Sequence, residues 1–318
     1  MARTYDVAVM HDYFVDRLLH TKKLEATMSE IGGKAESGGG GLHGYRQEEI
    51  GGGNAVNLAN SLARLGLKTL LITHSERAHE HLLLKRFAGT TAEVRIKRLP
   101  AGLTVAFEGK VNVMLSDGRG ASEFGPSELD ARDWLSLENS RIVCSVNWAA
   151  NRKGTDLLVA LRKRLGTGKT IFIDPADFRD RPRQFKELVG AIVGKGLVDW
   201  VSMNEFESLA AANALDLRFA GRGQRCKALA KEMKVVFDMH CEDASFSSEG
   251  TRVSSARTRV LKSVRLTGAG DVWDAASIYG RLNGMDEVPR LKFANKAARL
   301  YLERADPIPP TLSQVEVA

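Results

Sequence analysis

The chain has 318 residues, 43% of them apolar and 27% charged, which suits a folded globular protein with a sizeable core. No apolar run approaches the ~20 residues a membrane-spanning helix needs, and the start, Met1 to Phe14, has no signal-peptide pattern. Cys144, Cys226 and Cys241 form neither a paired disulfide framework nor a CxxC metal motif, so reduced thiols in a cytoplasmic protein are expected.

In chain order, Tyr5–Met10 reads as a buried strand. The next stretch, about Asp12 to Glu49, is rich in glycine and polar groups. The pattern NAVNLANSLARLG then predicts a helix stopped by Gly66, and Lys68–His74 a second strand. About Arg95 to Gly125 lie two or three alternating strands with turn signals. Arg141–Val146, Thr170–Asp174, Asp199–Asn204 and Lys234–Asp238 read as further buried strands, with the helix DLLVALRKRLG stopped by Gly166 among them. Continuously apolar strands alternating with helices predict an α/β fold: a mostly parallel central sheet with helices on both faces. Ligands bind beyond the carboxyl ends of such strands. The stretches at about 12–49 and 95–125 predict a small antiparallel lid over that edge, within one domain spanning 1–318; a disordered loop is the alternative for the middle of the glycine run.

The stretch Thr267-Gly268-Ala269-Gly270-Asp271 precedes a helical pattern. Unpaired amides at a helix start, approached closely because glycine has no Cβ, suit an anion. An aspartate there repels the anion, so it needs another task, such as taking a proton from an attacking hydroxyl. Stabilising the helix dipole is the competing explanation. Both stand on this stretch alone.

A distant stretch, Ile50 to Thr69, places Gly52, Gly53, Asn54 and Asn57 ahead of a helix and a strand. Together the two stretches resemble the signatures of the ribokinase-like (PfkB) family of carbohydrate and nucleoside kinases. Gly52, Gly53 and Asn57 match the early signature, and Gly268, Ala269, Gly270 and Asp271 the late one. The resemblance implies phosphoryl transfer from ATP, or ADP, to a hydroxyl of a sugar or sugar phosphate. Asp271 would be the general base, with the amides of Gly268 to Asp271 an anion hole. Asp16, Gly52, Gly53, Asn57 and Arg179 would bind the acceptor, and the glycine pair would hinge the lid. Asn204, Glu207, Asp238, Thr267 and Asn295 would surround the donor, with Glu207 helping to hold Mg2+ through water. For Asn204 and Glu207 a helix cap is the competing explanation, and for Arg179 an ion pair with Asp177 or Asp180. The lid is a candidate homodimer interface.

Three features depart from the pattern. Arg265-Leu266 replaces residues that usually include an acid, and Asp238 to Asp243 replaces a glycine-containing segment that usually lines the donor. Asp174 to Arg179 diverges in its middle. The changed residues Arg265, Asp238 and His240 motivate a catalytically silent ligand-binding protein on the same fold as the rival. A nucleoside acceptor is the alternative if Tyr13, Phe14 and Trp148 line the site, and a phosphorylated one if Arg17, Lys22, Lys23, Lys34 and Arg46 face inward. The net charge of +7 is either a solvated surface or an attraction for phosphorylated ligands, without a nucleic-acid motif. GTGKT at Gly166–Thr170 precedes a strand where a phosphate-binding loop follows one, and no histidine pair has metal-ligand spacing.

Overall fold

Alternate residues of the buried strands face two different cores. In β1 (Tyr5–His11), Val7 and Val9 pack into one layer while Ala8 and Met10 pack into the other. Cover on both faces is why these strands are apolar at every position rather than at alternate ones. The computed structural model describes residues 4–21, 23–108, 112–259, 267–304 and 306–317. The Arg265-Leu266 departure and Lys22 lie outside the described residues.

The remaining strands are β2 (Phe14–His20), β3 (Gln47–Gly52), β4 (Thr69–His74), β5 (Glu93–Lys97), β6 (Gly102–Glu108) and β7 (Asn112–Asp117). After them come β8 (Ser140–Ser145), β9 (Thr170–Ile173), β10 (Trp200–Asn204), β11 (Val236–His240), β12 (Ala244–Ser248) and β13 (Val253–Arg257). Nine form the main sheet in the order β13-β12-β11-β10-β9-β8-β1-β4-β5. From β11 to β5 the pairs are parallel, and β12 and β13 add an antiparallel edge. The predicted strands between Tyr5 and Asp238 all occur, within two residues at each end. Gly66 and Gly166 stop their helices with φ of 89° and 68°, a region open to glycine.

A second sheet, β3-β2-β6-β7, forms the lid. It corrects the expected arrangement in two ways. β2 and β6 run parallel, so the lid is mixed rather than antiparallel. β5 belongs to the main sheet beside β4, although the lid was expected to begin near Arg95. As an edge strand, β5 carries charges that hide it from an apolar pattern: Arg95 pairs with Glu93 and Asp133, and Lys97 with Asp130. Part of the glycine-rich stretch is a helix, Leu24–Glu36. Among the described residues no helix is long and apolar enough to cross a membrane.

Asp238 corrects a site expectation. It lies fully buried in β11, with Oδ2 2.5 Å from one Arg290 nitrogen and Oδ1 3.0 Å from the other. Ser277 donates to the same carboxylate, at 3.0 Å. Burial alone would raise its pKa, but Arg290 more than reverses this and holds Asp238 below the ordinary carboxylate range. The carboxylate is closed to a nucleotide because both its oxygens bind the helix Glu287–Leu302. Removing one member leaves the other charged and buried. Arg290→Met is therefore expected to destabilise the fold by about 3–5 kcal/mol in urea denaturation, a loss that added nucleotide should not specifically recover.

Candidate active site

Because the strands are parallel, the residues following β1, β8, β9 and β10 emerge at one edge of the sheet. Asp12 follows β1, Asn147 follows β8, Asp174 follows β9, and Asn204 ends β10. The lid's β2 begins two residues after Asp12, and β3 returns the chain to the helix Asn54–Arg64.

Asp12 is the hub of this edge. Its carboxylate accepts from the amides of Asn54 and Ala55, each at 2.8 Å, and from Asn147 Nδ2 at 2.8 Å. It thereby satisfies donors at the start of the Asn54–Arg64 helix. Close approach explains the two glycines. A Cβ on Gly53 would lie 2.8 Å from the Asp12 carbonyl, at a φ of 102°, and one on Gly52 would lie 1.8 Å from Asp16 Oδ2. Asp16 points from the lid toward this junction and is 7% exposed.

The same helix meets the Gly268–Asp271 turn. Asn57 Nδ2 donates to Asp271 Oδ2 at 3.0 Å, and Asn57 Oδ1 accepts from Arg86 at 3.1 Å. Gly268 caps the helix Ala269–Leu282 at φ 85°. A Cβ there would lie 3.0 Å from Tyr301 Oη, which donates to the Thr267 carbonyl. Thus Asp16, Gly52, Gly53, Asn57, Thr267, Gly268, Ala269, Gly270 and Asp271 converge across more than two hundred positions of sequence.

Burial is the main cause of a strong upward pKa shift at Asp271, and the charges of Asp174 and Asp12 add to it. Hydrogen bonds from Asn57 and Asn54 oppose it. Asp274, one turn further along the helix, is also raised by burial and by Asp174, and accepts from Ser202 at 2.5 Å. Asp174 is itself raised, to about 6, chiefly by burial, so the two buried carboxyl groups disfavour each other's charge.

Glu207 also lies here, raised by burial first and by Asp174 second. Asn204 and Glu207 form a reciprocal capping box at 2.9 Å in both directions. The competing cap is therefore present, yet it leaves the Glu207 side chain close enough to feel Asp174 and Asp177. Among the described residues no group of three His, Cys, Asp or Glu side chains could hold a metal ion directly. Instead, neighbouring carboxyl groups at Asp174 and Glu207 disfavour one another's charge. That set fits a hydrated divalent cation bound through one or two carboxylates, as Mg2+ prefers.

Two further expectations change. Arg179 binds Asp177 through Nε at 2.8 Å and a terminal nitrogen at 2.5 Å, with both side chains exposed. Its position is a surface turn, not a contact with the glycine motif. Asn295 accepts from Trp273 Nε1 at 2.8 Å and donates to the Ala256 carbonyl at 3.2 Å, so its amide links helix to strand. The segment after Asp238 brings in a residue not assigned beforehand. A Cβ on Gly270 would lie 3.2 Å from the His240 ring, whose Nε2 is buried without a partner. Burial lowers the His240 pKa to about 4, so this imidazole is neutral near pH 7. Asp12, Asn147 and Asp274 were not singled out, and His240 was noted only as a changed residue. The spacing of Asp274 three residues after Asp271 was a readable signal, whereas Asn147 had none.

A fold of this design is shared with solved kinase structures at low sequence identity. They include adenosine kinase from Sinorhizobium meliloti, with a TM-score of 0.80 and 19% identity over 99% of each chain. Ribokinase from Arabidopsis thaliana, complexed with ribose and ATP, has a TM-score of 0.76 and 18% identity over 99% of this chain and 98% of its own. In sequence, a 5-dehydro-2-deoxygluconokinase of Shouchella clausii (strain KSM-K16) is 26% identical over 284 residues, covering 83% of this chain and 85% of that protein. The model of the pfkB family of carbohydrate kinases matches residues 25–314, and the chain belongs to that family. It is a phosphotransferase acting on a hydroxyl.

If the Asp174 charge contributes to the raised pKa of Asp271, Asp174→Asn should move the acid limb of the pH–rate profile to lower pH. The sign follows from the base form: a deprotonated Asp271 is more accessible once the neighbouring negative charge is gone.

Proposed function

We propose that the chain is a magnesium-dependent kinase that transfers the terminal phosphoryl group of ATP to a hydroxyl of a neutral, sugar-type acceptor. The observation that carries this reading is Asp271, buried at the first turn of a helix, with Asn57 holding one oxygen and a glycine-rich turn beside it. Asp271 takes the proton of the attacking hydroxyl, and its raised pKa strengthens it as a base. Amides of the Gly268–Asp271 turn face the charge that develops on the transferred group. Asn57, tied to Arg86, keeps the carboxylate oriented, while Asp16 accepts hydrogen bonds from acceptor hydroxyls. Gly52 and Gly53 join lid to helix and serve as the hinge that excludes water. Asp174 and Glu207 would hold Mg2+, largely through water, which neutralises phosphate charge when bound.

The lid supports a neutral acceptor. Arg17 pairs with Glu49 and Arg46 with Glu48, with both arginines exposed, so they do not form an inward phosphate clamp. Tyr13, Phe14 and Trp148 are 0%, 6% and 4% exposed, and this burial favours a sugar over a nucleoside that would need them as a stacking surface. The relative from Shouchella clausii is named for a sugar-derived acceptor.

Asp271→Asn is expected to lower kcat about 10²–10⁴-fold with little change in acceptor binding; unchanged kcat would rule out the base. Glu207→Gln should raise the Mg2+ concentration needed for half-maximal rate.

The outer face of the lid exposes Val105 at 38% and, directly opposite it, Leu115 at 63%, beside Leu103 at 39%. Asp16 and Thr104, opposite each other on the other face, are buried toward the site. This apolar outer face is read as a homodimer interface. Leu115→Glu should therefore shift the protein to a smaller species in sedimentation velocity.

A further inference from the structure

The Gly268–Asp271 turn is flanked on two sides. A Cβ on Gly268 would meet Tyr301 and Asn57, whereas one on Gly270 would meet only His240. His240 ends β11 in register with Asn204 of β10, so it belongs to the sheet edge that carries the acidic cluster. Its Cε1 lies 3.2 Å and its Nε2 3.6 Å from the place of the missing Gly270 Cβ, an approach that the lack of a side chain permits. Trp273, three residues further along the helix, packs on the ring with centroids 5.2 Å apart and is itself held by Asn295. The imidazole is thus fixed in place. Yet among the described residues its buried Nε2 has no hydrogen-bond partner. Buried polar atoms are ordinarily paired, so an orphan set against a helix start points to a partner that arrives with the ligand.

We infer that His240 is a further catalytic residue, whose Nε2–H donates to an oxygen of the phosphoryl group being transferred. The inference rests on the kinase reading given above. Val272 makes the first bond of the helix, to the Gly268 carbonyl at 3.2 Å, which leaves the amides before it to face an anion. An oxygen bound at the Gly270 amide is next to the orphan nitrogen. Burial lowers the His240 pKa to about 4, and the one charge that opposes this, Asp238, is taken up by Arg290. A neutral imidazole carries a single N–H, so it neither pairs with Asp271 nor competes for the charge of the base. His240 keeps its proton throughout and stabilises developing negative charge, as the turn amides do. It lies in Asp238 to Asp243, the segment in which this chain departs from the family pattern, so the hydrogen bond is a feature of this chain rather than of the family at large.

The test has a spectroscopic and a kinetic arm. In NMR of the full wild-type chain carrying nitrogen-labelled histidine, the His240 ring should be the Nε2–H tautomer in the presence of Mg2+ and β,γ-imido-ATP. Its N–H signal should move when that compound is added, and less when ADP, which lacks the last phosphoryl group, is added instead. For the kinetic arm, kcat is measured with the neutral sugar that wild type turns over fastest. His240→Phe keeps a ring against Trp273 but has no donor, and should lower kcat about 10²-fold with the acceptor KM unchanged. His240→Gln returns an N–H near the place of Nε2 and should recover most of that loss, which a packing role alone would not produce. If His240→Phe fails to fold, the wild-type NMR decides. Wild-type kcat in His240→Phe, equal loss in both variants, or an Nε2 that is unprotonated or unmoved by β,γ-imido-ATP overturns the inference. Where wild type turns over ATP and His240→Phe matches it, only the role of His240 falls. Where wild type neither binds β,γ-imido-ATP nor transfers phosphate, the kinase reading falls with it.

Discussion

The functional edge of this protein depends on a single buried carboxylate. Asp12 is fully buried and accepts three hydrogen bonds, two from the start of the Asn54–Arg64 helix and one from Asn147. Those bonds join the first strand of the sheet, the loop after β8 and the junction between lid and helix. Without them, a buried carboxylate and unpaired helix amides would each carry a large penalty. The geometry also dictates sequence nearby, since Gly53 can accept neither a Cβ nor an ordinary backbone conformation.

From that anchor the acidic character of the site follows. Holding the helix against the strand ends brings Asn57 onto Asp271, and the parallel sheet delivers Asp174 and Glu207 to the same edge. Burial and mutual repulsion then push these carboxyl groups toward their protonated forms. Protonation of the most buried acids is one internal answer to the crowding. The other is a hydrated cation, which the proposed reaction requires in any case. Stability and chemistry are therefore set by the same cluster, as is common where acids are gathered in a cleft.

Elsewhere the same residue types serve the fold. Asp238 is as buried as Asp12, but Arg290 holds it ionised and removes it from the donor site. Asn295 was expected beside a base, yet both ends of its amide bind within the protein. Arg179 folds back on Asp177 through a two-residue separation that a turn readily closes. Each was a reasonable candidate by position, and each was redirected by a partner distant or local that the residue type alone does not reveal.

By itself, the sequence determined the strand and helix pattern, the glycine stops at Gly66 and Gly166, and the two glycine motifs with Asp271. These are local matters of periodicity, backbone freedom and residue type, legible without knowing what packs where. The mixed order of the lid and the place of β5 were decided by strand pairing between segments far apart. The acidic cluster and the Asp238–Arg290 pair arise only in three dimensions. A charge's partner and its dielectric surroundings depend on tertiary contacts, so the tertiary structure alone decided which polar residues face a ligand and which hold the fold together.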